Sequence, residues 1–152
     1  MDFNLEKFLK RYVWDDEKTP YFTPSSKLNR KQAHYECLAY SVFVGILFSA
    51  ISLITLTGAG GHERAIGPAL FSFTMICASV IFGFTKTYLA ALWLSTAPVA
   101  AVAYFLVYGF RPSWAGIDQI VVMLFIGCWI AYSLRIVAIG RRYDEMPEAP
   151  RK

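Results

Sequence analysis

Apolar residues run almost unbroken through four stretches of the chain, roughly 37–57, 66–85, 87–110 and 114–138, separated by short polar breaks. At about 1.5 Å of rise per residue, 20 helical residues cross the roughly 30 Å hydrocarbon core of a bilayer. A soluble four-helix bundle of this length would instead carry a charged stripe on the outer face of each helix. Here the only His or charged side chains between residues 38 and 65 are His62, Glu63 and Arg64, in one short Gly-rich loop. Residues 66–85 contain none. The pattern predicts an all-α, four-transmembrane-helix bundle over residues 33–140, with spans of about 35–57, 66–85, 87–110 and 114–138.

Two flanking segments follow a different pattern. In residues 2–14, Leu5, Phe8, Leu9, Tyr12 and Val13 share one helical face, and Glu6, Lys7, Lys10 and Arg11 share the other. Asp2 is placed to cap this helix. The preferred reading is a short amphipathic helix lying in the membrane interface as an anchor; the other is a docking helix for a partner. Pro20 and Pro24 make the following segment, 15–32, extended or turn-like. At the junction and within this segment, Trp14, Asp15, Asp16, Glu17, Tyr21 and Phe22 suit either a partner-binding arm or a solvated turn whose aromatics dip into the interface. Residues 1–32 thus form an N-terminal arm, and residues 141–152 are expected to be a disordered tail.

Inside the spans, small residues and prolines mark where helices touch or bend. Ser41, Gly45 and Ser49 recur every four residues, a spacing that lets a second helix approach closely, from this chain or from a partner. Ser79 and Gly83 repeat the device in the second span, as do Gly127 and Ala131 in the fourth. Gly67-Pro68 opens the second span, where a missing donor costs nothing. Pro98 lies mid-span, where it kinks the helix and frees the carbonyl of Leu94, with Ser95 and Thr96 near enough to help satisfy that turn.

Composition sharpens the class: 56% of residues are hydrophobic and 16% aromatic, above what a small soluble domain carries. Charge then orients the bundle. Thirteen of the 15 Lys and Arg residues fall in the N-terminal arm, the C-terminal end and the link at Lys86, against Arg64 and Arg111 in the other two loops. The positive-inside bias puts both termini in the cytoplasm of a multi-pass integral membrane protein, expected in a bacterial inner membrane. The same bias accounts for the net charge of +4, and basic residues interleaved with acids make no nucleic-acid patch.

The search for chemistry is mostly empty. His34 and His62 are separated by a helix of about 42 Å, so they share no metal. Cys37, Cys77 and Cys128 stand alone on different spans, with no Cys-x-x-Cys pair. Neither a phosphate loop, a dinucleotide fingerprint nor a serine-nucleophile motif is present. No catalytic residue, metal or cofactor is therefore expected. Three functions remain, in order: a non-enzymatic accessory, scaffold or assembly subunit that meets another membrane protein or a second copy; a small dimeric transporter or channel with a path near Pro98 and Asp118 at its outer mouth; and an interfacial enzyme using His34 and Glu36. At residue level, Glu36 and Arg135 lie at similar depth near the cytoplasmic ends of the first and fourth spans. They either pair within the membrane or reach headgroup water separately.

Overall fold

A computed structural model describes residues 24–58, 66–110 and 113–148. All the regular structure among them is helical, and four helical stretches are long and apolar enough to cross a membrane. The amphipathic helix expected over residues 2–14, and the arm residues Trp14, Asp15, Asp16, Glu17, Tyr21 and Phe22, lie outside the described residues.

α1, Arg30–Thr57, follows a single 3-10 turn at Ser25–Lys27. Its start is fixed by a capping box. Asn29 Oδ1 accepts from the Gln32 N–H at 2.8 Å, and Gln32 Oε1 accepts from the Asn29 N–H at 3.1 Å. Gly58, at φ +71°, closes the helix in the left-handed conformation that suits glycine. α2, Ile66–Thr85, keeps Pro68 in its first turn.

The third span departs from expectation in detail. It is divided into α3, Tyr88–Leu94, and α4, Thr96–Tyr108, with the break at Ser95. The cause is Pro98, which cannot donate to the Leu94 carbonyl. Ser95 Oγ donates to the Leu92 carbonyl and Thr96 Oγ1 to that of Trp93, both at 2.7 Å, so hydroxyls take over carbonyls of the interrupted turn. α5, Gly116–Arg142, begins with Asp118 accepting the Ala115 N–H at 3.0 Å.

α1 lies along α2, α2 meets α3, α3 and α4 pack on α5, and α5 closes back on α1. The core stripes follow helical spacing: Cys37, Tyr40, Val44 and Phe48 on α1; Ser72, Met75, Ser79 and Phe82 on α2; Ile126, Trp129, Ser133 and Ile136 on α5. Small residues set the closest approach. A Cβ on Gly45 would sit 3.0 Å from Ser79 Oγ, and one on Gly83 3.5 Å from the Ser41 side chain. The Ser41–Gly45 face therefore interlocks with α2 of the same chain. Ser49 is not in this seam. It is exposed, and its hydroxyl donates to the Gly45 carbonyl of its own helix at 2.7 Å.

The outer surface is the inverse of a soluble bundle: Leu89 is 75% exposed, Leu53 68% and Leu106 81%. Apolar surface on this scale marks a face covered by lipid or another protein.

The end of the chain also differs from expectation. α5 runs on to Arg142, a 3-10 turn follows at Tyr143–Glu145, and Met146 is buried. The Arg30 N–H donates to the Pro147 carbonyl at 2.9 Å. Residues 143–148 thus fold back across the start of α1 instead of forming a loose tail, and residues 149–152 of that expected tail lie outside the described residues. The turn supplies a hydrogen-bond acceptor and an apolar anchor, which together offset the entropy of ordering it.

Candidate functional site

The polar groups converge at the end of the bundle where α1 begins and α5 finishes. Glu36 lies two turns into α1 and is 2% exposed. Arg135 reaches it from α5 in a two-pronged pair: Nε donates to Oε1 at 2.5 Å and Nη2 to Oε2 at 3.1 Å. The planar fork of a guanidinium matches both carboxylate oxygens at once, a geometry lysine cannot reproduce. The sequence left open whether these charges pair or separate; in the structure they pair. The carboxylate is buried and the arginine side chain 20% exposed. Such a pair does more to fix which helices meet than to add net stability, because desolvation offsets most of the Coulomb gain.

One turn deeper, the hydroxyls of Tyr40 and Ser133 share a hydrogen bond of 2.7 Å. The Tyr40 ring lies 5.7 Å from that of Tyr132, and Phe43 meets Trp129 edge-on at 5.7 Å. The α1–α5 contact is therefore graded from charged to polar to aromatic along its length. Towards the chain ends, His34 Nδ1 lies 3.4 Å from the Tyr143 hydroxyl, and the Arg30 guanidinium stands 5.4 Å from the centre of the Tyr143 ring.

Lys86 is the residue that sequence reasoning missed. A lysine in so short a link reads as loop charge, yet Lys86 is 5% exposed. Its backbone, at φ +52°, makes the reversal between α2 and α3, a conformation that costs a non-glycine residue about 1–2 kcal/mol. Its ammonium donates to the carbonyls of Gly83 and Phe84, capping the end of α2. A signal was available: a link this short between antiparallel helices needs one left-handed residue, and residues 85–87 hold no Gly or Asn.

Chemically, these groups are engaged. Arg135 takes both oxygens of Glu36, and His34 turns to Tyr143. Asp118 caps its own helix. Pro98 is fully buried beside Leu94 and Ala97. Among the described residues no three of His, Cys, Asp or Glu come together as metal ligands. Cys37 is buried, while Cys77 and Cys128 are exposed thiols. No protein-family model matches this chain, and neither a curated protein nor a solved structure matches it.

Proposed function

We propose that the chain is a multi-pass membrane protein, with both termini in the cytoplasm of a bacterial-type inner membrane, that serves as a non-enzymatic accessory or assembly subunit of a larger membrane system. The observation that carries this reading is the use made of the polar side chains. Glu36, Arg135, Tyr40 and Ser133 are used to hold α1 to α5, and Lys86 to cap the end of α2. A transporter usually keeps an ionisable group available near mid-membrane. Here Ser95 and Thr96, the polar groups beside Pro98, are bonded to their own helix. The interfacial-enzyme reading gains no support either, because Glu36 is locked to Arg135.

Purification in mild detergent followed by mass spectrometry tests the proposal. A reproducible partner at fixed stoichiometry is the expected result. Recovery of the chain alone from cells, under conditions that preserve other membrane complexes, would overturn it.

A further inference from the structure

Outside the ion pair, at the same end of the bundle, a shallow cleft of about 440 Å³ is lined by Arg30, Lys31, His34, Tyr143 and Glu148. Arg30 and Lys31 line it together with the carboxylate of Glu148, and Asp144 adds a second carboxylate at its edge, so the site is mixed in charge and its two cations are the groups that can meet a phosphate. The cleft is partly organised already: Arg30 lies over the Tyr143 ring, and the Tyr143 hydroxyl meets His34. Asp144, which is 96% exposed, stands 3.9 Å from the Arg30 guanidinium and restrains one side of it. Lys31 is exposed.

An apolar track begins at this cleft. Lys31, Tyr35, Leu38 and Val42 are spaced i, i+4, i+7 and i+11, which puts all four on one face of α1. The three below Lys31 are 38%, 39% and 52% exposed, over a drop of about 16 Å. A charged cleft above a lengthwise apolar strip is the complement of an amphiphile, not of a free anion.

We propose that the cleft holds the headgroup of an anionic glycerophospholipid, with its phosphate on Arg30 and Lys31 and an acyl chain along Tyr35, Leu38 and Val42. Glu148 favours a hydroxyl-bearing headgroup such as glycerol, from which it accepts; choline offers it charge but no hydrogen-bond donor. Choline gains no cation–π contact either, since Arg30 occupies the Tyr143 ring. This site rests on the membrane reading above.

The test is native mass spectrometry of the full chain in detergent with added phosphatidylglycerol, phosphatidylcholine of the same acyl chains, or inorganic phosphate. One phosphatidylglycerol should be retained, against little phosphatidylcholine. R30Q/K31Q should weaken that retention at least about tenfold, since each charge-assisted bond is worth more than a decade of affinity. Lys31→Gln alone, at an exposed position, serves if the double variant misfolds, and should weaken retention in the same direction. Arg141→Gln with Arg142→Gln, two exposed arginines outside the cleft, should change nothing. Equal losses from both double variants, or equal retention of the two lipids, would overturn the site. Displacement of the lipid by inorganic phosphate at similar concentration would overturn the acyl track. Alkaline extraction of membranes separates the two readings: a chain that stays in the pellet while the cleft variants keep their lipid leaves the membrane reading standing and removes only this site. A chain that extracts as a peripheral protein removes both.

Discussion

The two ends of the bundle are built on different principles. At the end where α1 begins and α5 finishes, charges, hydroxyls and a folded-back turn tie the helices together. At the other end no residue of α4 beyond Pro98 is buried, none of α5 before Ile126, and none of α1 beyond Phe48. What holds the α4–α5 hairpin there is an aromatic cluster, with Phe105 stacked on Phe110 at 4.8 Å and Trp114 at 6.2 Å from Phe105. In lipid there is no hydrophobic drive to bring helices together, so polar contacts and close packing must do it. The end that has them is closed, and the end that lacks them presents a shallow apolar groove of about 650 Å³ along Met123, Gly127 and Ala131.

The largest effect should come from removing half of the ion pair. Arg135→Ala leaves a buried carboxylate without its partner and should cost about 3–5 kcal/mol, read as unfolding in mixed micelles. Replacing both residues, Glu36→Leu with Arg135→Met, should recover most of that loss. If the double variant is as weak as the single one, the pair is more than a means of matching two helices.

Gly45→Leu forces a side chain into the Ser79 hydroxyl and should cost about 1–3 kcal/mol. Gly127→Leu has open space before it and should lie within about 0.5 kcal/mol of the parent in isolated protomers. A larger loss at Gly127 in cell membranes than in detergent would show that the open half is covered by a partner.

Ser133→Ala removes the Tyr40 bond one turn below the ion pair and should cost about 0.6 kcal/mol, and no more than about 1.7. The smallest change is expected at the open end. Leu106→Ala, at a side chain 81% exposed, should shift thermal unfolding by less than the error of a single-site surface change, about 0.5 kcal/mol.

The four apolar helices are legible in the sequence; the contrast between the two ends is not. Span positions follow from length and hydropathy alone, because backbone groups in lipid must be satisfied within the segment. The depth of Glu36 and Arg135 followed too, since both are counted from the same interface. Whether they met depended on which helices are neighbours, and periodicity is silent on that. A lysine in a short link reads as solvated charge, whereas Lys86 is buried and α5 packs against the link, with Gly140 close to the Lys86 carbonyl. The fold-back at residues 143–148 depends on one acceptor, Pro147, and one anchor, Met146, too few to register as a pattern. Ser49 kept the right spacing but turned outward, since the α1–α2 seam uses only the part of α1 that α2 faces.

The Glu36–Arg135 pair also has a history in time. Its partners are 99 residues apart, and at 5–20 residues per second the ribosome takes roughly 5–20 s to go from one to the other. For that interval the first helix carries a carboxylate whose arginine has not been made. Closure of the bundle therefore waits for α5, and a chain cut short anywhere before α5 keeps an unanswered charge at its first helix.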